Sequence, residues 1–170
     1  QELNQLAEKH NIEVVVQDSS FFSKNFDEMN HQGVAIICNK RLEENENFLE
    51  SLIEKENLLL LILEHITDPH NVGACIRSAA AAGVDAVIVP KNRSCHLTPT
   101  VRKISSGGAE LIPFVVVTNI VRTINKLQSA GVMVYGTDME ASKFHNEVTY
   151  GEKSALIIGS EDKGLKRLTL

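Results

Sequence analysis

The chain has 170 residues, 43% of them hydrophobic and 23% charged, and a formal net charge of -5. That is ordinary globular composition, with length for one domain, or one domain and an appendage. No apolar run approaches the ~20 residues of a membrane-spanning helix. The cysteines, Cys38, Cys75 and Cys95, are too far apart for zinc-ligand spacing, so a reduced, cytoplasmic protein without metal is expected. The acidic balance argues against a plain nucleic-acid binder, but its distribution changes that reading. Residues 1–57 carry 5 basic and 12 acidic side chains, whereas 58–112 and 113–170 each carry one net positive charge. Lys91, Arg93, Arg102 and Lys103 form a basic stretch with no acidic residue among them. Such a patch can hold phosphate even on an acidic chain, because the Debye length is about 8 Å at physiological salt.

In chain order, Gln1 is not an initiator methionine, and the residues after it have no signal-peptide character, so a start inside a longer protein is expected. Residues 1–39 read as the remnant of a small α/β domain. Leu3, Leu6 and Ala7 give helical spacing, and 12–16 and 33–38 read as short strands. Residues 40–57 read as an acidic linker that ends in a short helix, with weak helical periodicity in Leu42, Phe48, Leu49, Leu52 and Ile53; a solvated face of one continuous domain is the competing reading. From Leu58 the pattern is regular. LLLLILE, from Leu58 to Glu64, reads as a continuous apolar strand, as in a parallel sheet buried on both faces. A helix follows over 71–82, with Gly83 suited to its C-terminal cap, then a strand over 86–89 and a long loop to Gly108. A strand over 114–117, a helix over 119–130, a strand over 132–137 and a last strand over 154–158 complete the order. Strands alternating with helices predict an α/β fold with a mostly parallel sheet and helices on both faces.

Ligands of open α/β sheets bind beyond the carboxyl ends of the strands, and three segments fall there. Asp68-Pro69-His70-Asn71-Val72-Gly73 leads into a helix bearing Arg77. Asp68 or Asn71 suits an N-cap, Gly73 permits close backbone approach, and Arg77 can meet an anion near the positive end of the helix dipole. From geometry alone, plain helix capping with a surface arginine is the favoured reading of this segment. Gly136 and Thr137 follow a strand and could offer backbone groups to a cofactor, although an ordinary turn is as good a reading. The third segment, Ile157-Ile158-Gly159-Ser160-Glu161-Asp162-Lys163-Gly164-Leu165, runs from a buried strand into a charged loop between two glycines, a form that can wrap a small molecule; a plain turn is the alternative, less attractive where a carboxylate and two glycines crowd a strand end. GxGxxG, the Walker A loop, HExxH and GxSxG are absent. His31, His65, His70, His96 and His145 have no metal-ligand spacing.

Taken in order, these segments resemble the SpoU (TrmH-like) family of the SPOUT class, the α/β-knot RNA ribose methyltransferases. Asn71-Val72-Gly73 with Arg77 resembles its first motif, and Gly159-Ser160-Glu161 with Gly164-Leu165 its second. VRKISSGGAE at 101–110 resembles the Lys/Ser/Gly-Ala loop between them. The wording TDPHNVGACIRSAAAAGVDAVIVPK is similar to the branch that methylates guanosine in bacterial 23S rRNA. His31-Gln32-Gly33 resembles the end of the ribosomal-protein-like RNA-binding domain that many members carry. The domains implied are thus 1–39, RNA binding; 40–57, linker; and 58–170, methyltransferase. The chain departs from the pattern by ending at Leu170, before the third motif, which threads the knot and completes the cofactor pocket. The resemblance therefore implies an incomplete pocket.

The resemblance further implies a cytoplasmic homodimer that uses S-adenosylmethionine to methylate a ribose 2'-hydroxyl of RNA. On this reading Arg77 serves the target ribose or phosphate, Asn71 positions it, and Glu161 fixes the second loop. Gly136, Thr137, Ile158 and Gly159 line the cofactor, and Arg77, Lys91, Arg93, Arg102 and Lys103 meet RNA. Three rivals remain: a tRNA 2'-O-methyltransferase, a non-catalytic RNA-binding homologue and a nucleotide-binding oxidoreductase. Arg77 and Glu161 speak against the second, and the missing GxGxxG against the third.

Overall fold

Residues 2–26, 31–37, 42–160 and 164–165 are described by the structure, a computed structural model. The chain divides into two units, Gln1–Lys40 and Arg41–Leu170.

In the first unit, helices α1 (Glu2–Lys9) and α2 (Ser19–Phe26) form. Asp18 starts α2: its Oδ1 accepts the Ser20 hydroxyl at 2.7 Å and the Phe21 N–H at 2.9 Å, and these bonds hold its carboxyl below the usual value. Phe22 stacks on His31 with ring centroids 4.9 Å apart. The strands expected over 12–16 and 33–38 are not found, and Cys38 lies outside the described residues. Val16, Ile36 and Ile37 are exposed instead. A β-branched run becomes a strand only when a neighbour completes its ladder, and no described residue does so here.

The second unit contains β1 (Glu44–Asn45), α3 (Phe48–Ile53), β2 (Leu58–Leu63), α4 (Pro69–Ala81), β3 (Ala86–Pro90) and α5 (Pro99–Ile104). It continues with α6 (Gly108–Leu111), β4 (Phe114–Val117), α7 (Ile120–Ser129), β5 (Met133–Gly136) and β6 (Lys153–Ile158). The six strands form one sheet in the order β1-β4-β3-β2-β6-β5, every pair parallel. Alternate residues of each strand face opposite layers. Leu58, Leu60, Ile62, Ile88, Val115 and Ile157 pack with α3 and α7, whereas Leu61, Leu63, Val87, Val89 and Phe114 pack with α4, α5 and α6. Helices therefore cover both faces, as expected.

From Glu44 on, the segment read as a linker belongs to this unit. β1 pairs with β4, and α3 buries Leu49 and Leu52 in the core. Its acidic residues point at a basic helix: Glu46 meets Arg122 at 2.8 Å and Glu50 meets Lys126 at 2.9 Å, both on α7. The long loop expected from Pro90 to Gly108 contains α5. Thr98 caps that helix by accepting the Val101 N–H at 3.2 Å, and Pro99 occupies its first turn.

Candidate active site

β2, β6 and β5 lie side by side, and the strand-end segments meet through them. Leu63 is in register with Ile158, and Gly136 with Ile157. At about 4.8 Å per strand, Gly136, Ile158 and the end of β2 fall within roughly 10 Å. Cross-links tie the three ends together. The Glu64 N–H donates to the Ile158 carbonyl at 2.8 Å, and both the N–H and the hydroxyl of Thr137 donate to the Ile157 carbonyl, at 3.2 and 3.3 Å. The winding reverses between β2 and β6, because the chain leaves β2 towards β3 but crosses from β4 to β5 on the other side. Open sheets hold ligands at such reversals.

α4 follows β2 after residues 64–68. Asp68 is its N-cap, accepting the His70 N–H at 3.1 Å, with Pro69 in the first turn. Gly73 is set by packing against α5: a Cβ there would lie 2.7 Å from Ile104 Cβ and 3.0 Å from the Val101 carbonyl oxygen. Asn71 is half-buried and Arg77 exposed. The backbone of α6 approaches Arg77 closely, since a Cβ on Gly108 would lie 3.3 Å from Arg77 Cα.

The segment 101–110 is α5, a turn and α6, packed against α4. Buried Ser105 joins the two short helices: its hydroxyl donates to the Arg102 carbonyl at 2.8 Å and accepts the Ala109 N–H at 3.2 Å. Lys91, Arg93 and Lys103 are exposed. Arg102 is not an unopposed cation: its guanidinium is ion-paired with Glu110 and the side chain is largely covered.

In the third segment Gly159 leaves no room for a side chain. A Cβ would lie 2.2 Å from the carbonyl carbon of Gly164 and 2.5 Å from the Leu165 N. The Gly164 N–H donates to the Ser160 carbonyl at 2.8 Å, and Leu165 is buried in the core. Glu161 lies outside the described residues. Beside this loop, Ile158 and Gly159 are half-buried, while Gly136 and Thr137 are exposed. An apolar side chain and accessible backbone at adjacent strand ends suit a nucleoside-like ligand.

Two features escaped sequence reasoning. Glu64, 1% exposed, ends the apolar strand β2, with its Oε1 3.8 Å from His65 Nδ1, and His65 has φ +61°. A carboxylate closing an apolar run was the available signal. The second is a contact between Glu43 and His96, 53 residues apart, for which no local pattern exists. Among the described residues no group of His, Cys, Asp or Glu gathers as a metal site, and no helix is long and apolar enough to cross a membrane.

Residues 58–170 match the SpoU rRNA Methylase family. The chain is 49% identical over 141 residues to the 23S rRNA (guanosine-2'-O-)-methyltransferase RlmB of Pseudomonas aeruginosa, with 82% of this chain and 57% of that protein aligned. The protein of the same name from Neisseria meningitidis serogroup B is 40% identical over 99% of this chain and 67% of its own length. The chain thus spans little more than half of the first of these relatives. The SpoU methyltransferase AviRb from Streptomyces viridochromogenes, solved in complex with AdoMet, superposes with a TM-score of 0.62 at 26% identity, over 70% of this chain and 47% of that one.

Proposed function

Because the chain belongs to the SpoU rRNA Methylase family, we propose that it transfers a methyl group from S-adenosylmethionine to a ribose 2'-hydroxyl of RNA, with a guanosine of 23S rRNA as the target. The observation that carries this reading is the alignment of the β2, β6 and β5 ends, with Arg77 exposed on the helix that leaves β2. S-adenosylmethionine supplies a methyl group already activated by its sulfonium charge. The protein must then align the ribose oxygen and assist loss of its proton.

Gly136, Thr137, Ile158 and Gly159 form the cofactor shelf in this proposal. Arg77 holds the phosphate or ribose of the target nucleotide. A guanidinium offers N–H donors and no acceptor, so it stabilises a developing alkoxide rather than abstracting the proton. Asn71, in the first turn of α4, positions the motif from which Arg77 projects, and Glu161 fixes the second loop. Lys91, Arg93 and Lys103 contact RNA phosphates, and Arg102, held by Glu110, shapes α5 and α6 beneath them. Residues 1–39 add RNA-binding surface. The working form is a cytoplasmic homodimer, which light scattering of the full-length protein would report; a monomer there would remove that part of the proposal.

The test is Arg77→Ala in the full-length protein. Methyl transfer to rRNA should fall at least about a hundredfold, the scale for losing one transition-state donor, while S-adenosylmethionine affinity by calorimetry is retained. Equal loss of both would mean that Arg77 belongs to the cofactor shelf.

A further inference from the structure

We infer that Glu43 and His96 are positioning residues for RNA binding: together they clasp residues 91–97 so that Lys91 and Arg93 face the RNA backbone. This rests on the proposed reading of that loop as an RNA contact.

The clasp consists of three bonds. His96 Nδ1 lies 3.0 Å from Glu43 Oε2, and Nε2 lies 3.0 Å from the Lys91 carbonyl oxygen. The other oxygen of Glu43 accepts the Leu97 N–H at 2.8 Å. One carboxylate thus grips two consecutive residues, and the imidazole closes the loop back on Lys91. Its supports are fixed. Glu43 immediately precedes β1, which is in register with β4, and the Lys91 N–H donates to the Val117 carbonyl at 2.8 Å. The Cys95 N–H donates to the Ile66 carbonyl at 2.9 Å, and Leu97 is buried. Between these points the chain turns outward through Arg93, whose φ of +58° is a left-handed value that long side chains rarely take. Such a conformation persists where its surroundings impose it.

Both partners of the imidazole are acceptors, a carboxylate and a carbonyl. Neutral histidine has a single N–H and can serve only one, so the closed clasp requires the imidazolium. The bond to Glu43 is the largest influence raising the His96 pKa; the Lys91 carbonyl adds to it and partial burial opposes it. The other titratable neighbours are Lys91 and Cys95 of the loop, the latter raised mainly by burial, and Asp68, whose charge reaches Cys95 from the cap of α4. Because the folded pKa is raised, the clasp is fully closed below about 6.5, the value of free histidine. It opens as pH rises through the higher folded value. RNA affinity should therefore decline on the alkaline side.

The experiment pairs two measurements on the full-length protein: NMR titration of the His96 ring, and anisotropy of a fluorescein-labelled RNA hairpin across the same pH range. Wild-type His96 should titrate above the free value, and RNA affinity should fall several-fold through the same interval. Glu43→Gln should return His96 towards the free value and shift the affinity profile to lower pH in step. His96→Gln, which keeps a donor for Lys91 but does not titrate, should flatten the profile. A His96 that titrates normally and ignores Glu43→Gln would overturn the clasp. A shifted His96 with pH-independent RNA affinity would overturn its positioning role. If Lys91→Ala and Arg93→Ala leave affinity unchanged, the RNA reading of the loop fails and the positioning role with it, while the ring titration still shows whether the clasp forms.

Discussion

Replacing Gly159 with alanine would drive a methyl group into the backbone of its own loop. The new Cβ would lie 2.2 Å from the Gly164 carbonyl carbon, 2.3 Å from its oxygen and 2.5 Å from the Leu165 N, where ordinary contact begins at 3.4 Å. A shift of about 1 Å is needed. The β6 side resists it, because Ile158 is paired with Leu63 and its carbonyl holds the Glu64 N–H at 2.8 Å. The loop must move instead, stretching the Gly164 to Ser160 bond and lifting Leu165 from the core. A net hydrogen bond is worth about 1 kcal/mol and burial of a leucine roughly 1.5–3. Partial loss of each gives a destabilisation of about 2–3 kcal/mol. At roughly 2–4 °C per kcal/mol for a chain of this size, Tm should fall by about 4–12 °C. If the displaced loop is a wall of the cofactor shelf, S-adenosylmethionine affinity should fall more than tenfold, which corresponds to about 1.4 kcal/mol. Calorimetric unfolding and cofactor titration measure the two effects. Gly164→Ala is the control, since nothing lies within 4 Å of its Cβ and only its φ of +59° resists substitution. A Gly159→Ala protein with wild-type Tm and cofactor affinity would refute this picture of the loop.

Leu49→Ala should cost about 2–5 kcal/mol by chemical denaturation, because Leu49 is fully buried although it falls in an acidic stretch; a change below 1 kcal/mol would restore the linker reading. Asp68→Ala should cost about 1 kcal/mol by removing the N-cap of α4, measured by the same denaturation. Lys103→Ala should weaken RNA binding similarly across sequences and reduce the salt slope by about one, while Arg102→Ala should also lower Tm through loss of its pair with Glu110.

What could be read from the sequence was what local periodicity carries. Leu58–Leu63 is apolar without interruption because both faces of β2 are covered at every residue but Leu59. The run of alanines announced the helix expected over 71–82, which starts two residues earlier, at Pro69, because Asp68 rather than Asn71 is its N-cap; Phe114–Val117 is bounded as expected. Short elements were harder. α5 has six residues and carries two charges, so its periodicity is weak, although Thr98-Pro99 was a usable start signal. Phe48, Leu49, Leu52 and Ile53 did announce α3, but its place in the sheet unit rather than in a linker was hidden, because the partners of Glu46 and Glu50, Arg122 and Lys126, are 76 residues away. In the site, Gly73 and Gly159 were visible as glycines, but their reason is contact with Ile104 and with the Gly164 backbone, which only the fold reveals. Counting charges made Arg102 look free; the turn between α5 and α6 brings Glu110 to it.

Transfer of an isotope-labelled methyl group from S-adenosylmethionine to 23S rRNA by the full-length protein, followed by nuclease digestion and mass spectrometry of the nucleosides, decides whether the protein is a ribose methyltransferase that depends on Arg77. The expected result is label on the ribose of a single guanosine, as 2'-O-methylguanosine, falling at least about a hundredfold when Arg77 is alanine. Label on a base, or ribose label that survives Arg77→Ala unchanged, would contradict it.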